Sequence, residues 1–119
     1  MPTVFIVDDH QDTAEALAVF LESNGFTAEF YTDFKSAEDR IVRDHPGILL
    51  TDYYMFGSDI STQEFIDRIR AHFPRLKIVI LSGDPLKNID AGLMGADFLA
   101  KPIDLERLEK LCAEHCVQQ

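Results

Sequence analysis

Short apolar runs alternate along the chain with longer segments whose apolar residues recur every three or four positions, the pattern of repeated βα units over a parallel sheet. Five such units follow one another. Strands are predicted at Val4 to Val7, about Thr27 to Tyr31, Gly47 to Thr51, Lys77 to Leu81 and Phe98 to Ala100. The first helix is predicted from about Asp12, where Asp12 and Glu15 make a capping-box-like start, with Leu17, Phe20 and Leu21 facing inward and Gly25 ending it. The second runs from about Ser36 to Asp44, with Ala37 and Ile41 inward and Pro46 forbidding its extension. The third opens at Ser61, whose hydroxyl can cap it with Glu64, and stops ahead of Pro74. Between Pro85 and Met94 the helical propensity is poor, with Gly92 inside, so a short or mobile fourth helix is expected. The last helix is predicted from Asp104, burying Leu105, Leu108 and Leu111 or Cys112.

Strands that read as almost continuously apolar are buried on both faces, so polar residues at their ends carry information. The first strand ends on Asp8 and Asp9, the third on Asp52, the fourth on Ser82 and the fifth on Lys101. Parallel strands bring these ends to one edge, where open α/β sheets hold their ligands. Three carboxylates meeting there repel by about 4 kcal/mol per pair at about 4 Å and an effective dielectric of about 20. Lys101 offsets part of that charge and a hard divalent cation offsets more, which makes the cluster a candidate Mg2+ site, with Mn2+ as the substitute. A metal, a carboxylate, a hydroxyl and an ammonium together are the parts for phosphoryl transfer: Asp52 as nucleophile, Lys101 on the phosphoryl oxygens, Ser82 as hydrogen-bond donor.

Composition narrows the partners. The 119 residues suit one domain, residues 1–119, and 46% hydrophobic with 27% charged residues is ordinary for a globular fold. Eleven Lys and Arg against 21 Asp and Glu give a formal charge of −10, which repels phosphate backbones and attracts basic protein surfaces. Direct nucleic-acid binding is therefore not expected. No apolar run is long enough to span a membrane, and Met1-Pro2-Thr3-Val4 lacks a basic leader, so a cytoplasmic location is expected. Cys112, His115 and Cys116 offer three clustered metal donors and no fourth; packing or surface thiols are the plainer reading. Arg68, Arg70, Arg75 and Lys77 read as a solvated basic patch, His10 as a solvated helix-start residue, and His45 and His72 as helix-end residues.

The stretches VDDH at 7–10, LLTDYYM at 49–55, ILSGD at 80–84 and GADFLAKP at 95–102 come in an order that resembles the receiver domain of two-component response regulators, over essentially the whole chain. The resemblance implies a flavodoxin-like (βα)5 fold with strand order 2-1-3-4-5. It also implies that Asp52 is the phosphoacceptor, that Asp9 is a direct Mg2+ ligand and Asp8 a ligand largely through water, and that the backbone carbonyl of Tyr54 supplies another oxygen. Ser82 matches the switch hydroxyl, Phe98 the aromatic that moves with it, and Lys101-Pro102 a bond that is typically cis. The implied donor is a histidine kinase or phosphotransfer protein, and the implied readout is altered affinity for an output protein or domain, with a homodimer among the compatible assemblies. Such a domain is a signalling switch and catalyses only its own phosphorylation and dephosphorylation.

Departures from the family pattern accompany the matches. Phe56 stands where a proline usually follows Met55, and the loop to the third helix is longer than typical, with Gly57 free to take positive φ. The Ser82 to Lys101 segment is shorter than typical, which points to a non-standard fourth helix. Tyr54 and Asp84 occupy positions that flank the path of attacking water in the family. Tyr53, Tyr54 and Phe56 themselves read as packing residues. Two alternatives stay open: a pseudo-receiver that binds partners without phosphorylation, and an aspartyl-nucleophile hydrolase, against which Tyr54 stands where that class has a second carboxylate.

Overall fold

In the computed structural model, residues 3–116 are described. Five strands, β1 Thr3–Val7, β2 Thr27–Tyr31, β3 Ile48–Asp52, β4 Lys77–Ser82 and β5 Asp97–Ala100, alternate with five helices, α1 Gln11–Ser23, α2 Phe34–Asp44, α3 Thr62–His72, α4 Lys87–Leu93 and α5 Leu105–Cys116. The strands form one parallel sheet in the order β2-β1-β3-β4-β5, the flavodoxin-like arrangement expected from the sequence. Met1, Pro2, the last three residues and the side chain of Cys116 lie outside the description, so the reading of Cys116 as a packing or surface thiol lies outside the described residues.

Strand side chains alternate between faces, so β1 feeds two cores. Val4 and Ile6 join Leu17, Leu21, Leu50, Leu108 and Cys112 on one face. Phe5 and Val7 join Ile41, Leu49, Phe65, Ile66 and Ile69 on the other. Helices pack on both faces, which is why the central strands carry almost no polar residue before their last positions.

The register sets the site. Val7 pairs with Thr51, Asp52 with Leu81, and Ser82 with Ala100, so the ends of β1, β3, β4 and β5 finish almost level. Lys101 N donates to Ser82 O beyond the last paired residue and holds the lysine against the end of β4.

Several boundaries differ from the sequence reading. Helix α1 starts at Gln11 after His10 in an extended conformation, with no side-chain cap, so Asp12 acts only on the helix dipole. Its C-terminus closes as a Schellman motif: Gly25 N donates to Glu22 O, Phe26 N to Leu21 O, and Gly25 takes φ +92°. Helix α2 begins two residues earlier than predicted because Asp33 accepts from Ser36 N at 2.7 Å. Ser61 caps α3 as expected, accepting from Glu64 N at 3.1 Å. Helix α4 is short, seven residues, as its poor propensity implied. On α5, Leu108 and Cys112 are buried while Leu105 is exposed, because the inward stripe begins one turn later than predicted. The basic patch is not simply solvated. Arg70 donates to the carbonyls of Pro74, Leu76 and Gly95 and so ties α3 to the turns on either side of β4 and α4, while Lys77 pairs with Asp97.

Candidate functional site

The site forms where four strand ends converge. Asp8 is fully buried just beyond β1; its Oδ1 accepts from His10 N at 2.9 Å and its Oδ2 lies 3.3 Å from Lys101 Nζ. Asp52, buried at the end of β3, places Oδ1 3.2 Å from the same ammonium. Lys101 thus bridges two buried carboxylates from opposite sides of the crevice, and it reaches them from a loop whose Lys101-Pro102 bond is cis. Ser82, buried at the end of β4, accepts from Asp84 N at 3.0 Å. Phe98, opposite Ile80 in β5, is partly buried against the core face that holds Phe65.

Asp9 extends from the β1–α1 turn, its side chain 14% exposed. One oxygen accepts from Phe56 N at 3.1 Å, which ties the long β3–α3 loop to the acidic turn. The other, Oδ1, is buried without a hydrogen-bond partner. Oxygen donors of Asp8, Asp9 and Asp52, with a nitrogen of His10, lie within 4.8 Å of one another. An orphaned buried carboxylate oxygen among further hard donors suits a small divalent cation, and these residues fit one.

Charge burial explains the electrostatics. Burial pushes the Asp52 carboxyl above its ordinary range; Lys101 opposes that, and Asp8 adds to it. Burial would lower Lys101, but Asp52 and Asp8 hold its ammonium above the usual value. The raised carboxyl has a consequence for stability. Above the ordinary carboxylate pKa, near 3.9, the unfolded chain ionises Asp52 freely while the fold resists the charge. The penalty is absent below that pKa and grows as pH rises through the folded value. Metal-free Asp52→Asn is therefore expected to melt above the parent at pH 7, with the gap closing below about pH 3, where both states of the parent carry a neutral carboxyl. Parallel melting curves at both pH values check this, and a pH-independent gap would contradict it.

The loop after Asp52 is built differently from the packing cluster expected of Tyr53, Tyr54 and Phe56. Tyr53 is partly buried, but Tyr54 is 46% and Phe56 79% exposed. Thr62 Oγ1 donates to Tyr53 O, which fixes the loop to the start of α3. The Tyr54 hydroxyl lies 3.3 Å from Asp84 Oδ2, and Lys87 Nζ sits 4.6 Å from the centre of the Tyr53 ring. Gly57 takes φ +75°, the freedom foreseen for a loop without proline. One neighbour of the acids was undervalued in the sequence reading, and another polar contact was missed. His10 is 64% exposed, as a solvated residue should be, yet its ring nitrogen faces the acidic pair. Lys87 joins α4 to the tyrosines, which no local motif announced.

The chain matches the sequence model of the response regulator receiver domain over residues 4–113. It is 31% identical over 110 residues to the nitrogen assimilation regulatory protein NtrX of Azorhizobium caulinodans, covering 88% of this chain and 24% of that protein. It is 33% identical over 110 residues to the C4-dicarboxylate transport transcriptional regulatory protein DctD of Rhizobium meliloti, covering 90% and 24%. The chain thus spans about a quarter of the length of these curated relatives. Among solved structures, the receiver domain of NtrX from Brucella abortus superposes with a TM-score of 0.86 at 28% identity, covering 98% of both chains. A response regulator receiver protein from Pseudomonas putida gives 0.85 at 32% identity, covering 95% of this chain and 96% of that one.

Proposed function

The chain belongs to the response regulator receiver domain family, and from that membership we propose that residues 1–119 form one phosphorylatable switch whose phosphoacceptor is Asp52. The observation that carries the reading is the Lys101 ammonium held between the buried carboxylates of Asp8 and Asp52, beside a buried Asp9 oxygen that makes no hydrogen bond. A fold alone gains nothing from three clustered carboxylates; phosphoryl transfer does.

In this reading a carboxylate oxygen of Asp52 forms a bond to phosphorus as the phosphorus–nitrogen bond of a phosphohistidine on the donor breaks, and the freed imidazole takes up a proton. Asp8, Asp9, Asp52 and the backbone carbonyl of Tyr54 would hold Mg2+, or Mn2+ in its place, which when bound supplies positive charge to the phosphoryl oxygens. Lys101 stabilises the same developing charge from the β5 side. Ser82 would exchange its contact with Asp84 N for donation to a phosphoryl oxygen, and Phe98 would follow into the space beneath. The readout is altered affinity of the α4, β5 and α5 face for an output protein or domain, with a second copy of the chain among the partners that face can take. The donor is a histidine kinase or phosphotransfer protein. The net charge of −10 disfavours direct nucleic-acid contact, and no helix among the described residues is long and apolar enough to cross a membrane. We assign the domain to the cytoplasm, where such donors present their phosphohistidine.

The competing pseudo-receiver reading requires no particular residue at Asp8, Asp9, Asp52, Ser82 or Lys101, and their convergence weighs against it. Metal removal separates the two. With Mg2+ and a small phosphodonor the intact mass is expected to rise by one phosphoryl group, and with a chelator it is expected to stay unchanged. Equal incorporation with and without metal, or none in either case, would overturn the proposal.

A further inference from the structure

The β1–α1 turn adds a donor that the phosphoryl-transfer reading does not use. His10 is the N-cap of α1, in an extended conformation, and its backbone N donates to Asp8 Oδ1. The backbone therefore fixes the imidazole beside the acids: Nδ1 is 3.1 Å from Asp9 Oδ1 and 3.4 Å from Asp8 Oδ1. Two donors bound cis on one ion, each about 2.1–2.2 Å away, lie roughly 3.0–3.1 Å apart, so the separation from Asp9 is that of neighbouring ligands. Asp9 Oδ1 is buried and makes no hydrogen bond, and the His10 nitrogen faces it at 3.1 Å. A cation shared by the two atoms satisfies both.

We infer that His10 is an additional ligand of the divalent cation, through Nδ1, and that it shifts the site's preference from Mg2+ toward transition-metal dications. The inference rests on the metal-binding part of the reading above. Its chemical basis is donor type. Mg2+ takes hard oxygens and retains its waters, and an imidazole adds little to its binding. Co2+, Ni2+ and Zn2+ bind imidazole well, and their intrinsic affinities already exceed that of Mn2+. An oxygen cluster with one nitrogen therefore gains selectivity that three carboxylates lack. The opposite role for His10, an imidazolium paired with Asp8 and Asp9, predicts the reverse: a cation on the acids would have to displace it.

The test uses the full chain and two readouts. Titrations with Mg2+ and with Co2+ at one fixed pH compare the parent with His10→Asn, which retains a residue well suited to the N-cap. The expected result is a loss of about tenfold or more in Co2+ affinity while Mg2+ affinity stays within about twofold. Independently of any variant, pulsed electron paramagnetic resonance of Mn2+ bound to the parent is expected to show coupling to one nitrogen, absent in His10→Asn. Metal binding without nitrogen coupling overturns the role of His10 and leaves the metal site intact. Equal changes for both ions also overturn it, and tighter binding of both identifies His10 as a competing charge. Binding of neither ion to the parent overturns this inference together with the metal reading beneath it.

Discussion

Lys101→Ala is expected to slow phosphorylation of Asp52 by about a hundredfold to a thousandfold at saturating metal and phosphodonor, the usual effect of removing one preorganised electrostatic donor. The side chain stands 3.2 Å from Asp52 and 3.3 Å from Asp8, so it faces the carboxylate that would take up the incoming group. Its removal also leaves two buried carboxylates without their counter-charge, and the metal-free variant should melt below the parent. Those consequences separate in practice: excess Mg2+ should recover much of the melting temperature, because it replaces the missing charge, while the rate stays low. Lys101→Arg keeps the charge on a wider head group and should fall between. Single-turnover mass spectrometry measures the rate, and a Lys101→Ala rate within threefold of the parent would show that the ammonium takes no part in the transfer.

Phe65→Ala is expected to cost about 3–5 kcal/mol, a large share of the roughly 5–15 kcal/mol that holds a domain folded. Phe65 is fully buried on α3 and stacks on Phe34 of α2, the ring centroids 4.2 Å apart and the planes 15° from parallel. The pair joins two helices on one face of the sheet. The effect should reach the site, since α3 begins at Thr62, whose hydroxyl holds the backbone of Tyr53 directly after Asp52. Urea unfolding measures the loss, and Phe65→Leu should cost much less. A loss below about 1 kcal/mol for alanine would mean that this face repacks without strain.

How much was legible follows from where each signal resides. Strand ends were readable because Ile48, Leu49 and Leu50 are buried on both faces, so the change to Asp52 in a single residue marks the sheet edge. The five site residues were readable because a parallel sheet carries its C-terminal ends to one place whatever the loops do. Caps were half readable. Ser61 acts as its local pattern states, whereas Asp12 yields the start of α1 to His10, because the chain leaving Asp9 stays extended and the backbone of His10 is captured by Asp8. The placement of the His10 ring beside Asp8 and Asp9 therefore depends on a turn geometry that a residue pattern does not encode.

The aromatic loop was the least legible part. Tyr53, Tyr54 and Phe56 look alike as apolar residues, yet one packs inward, one turns its hydroxyl to Asp84, and one stands in solvent. Which does which depends on Thr62 and on Asp9, residues distant in sequence that hold the loop's backbone at Tyr53 O and Phe56 N. The missing proline is thus compensated by long-range hydrogen bonds. Arg70 shows the same limit, reading as surface charge until three backbone carbonyls converge on it.

The central claim is that Asp52 takes the phosphoryl group, and reductive trapping tests it at the residue itself. After incubation with Mg2+ and a small phosphodonor, borohydride reduces an acyl phosphate to the alcohol, which turns a phosphorylated aspartate into homoserine. Peptide sequencing by mass spectrometry is expected to find homoserine at position 52 and nowhere else, and none after the same treatment of Asp52→Ala. Homoserine at Asp8 or Asp9 instead, or none in the parent chain, would contradict the account.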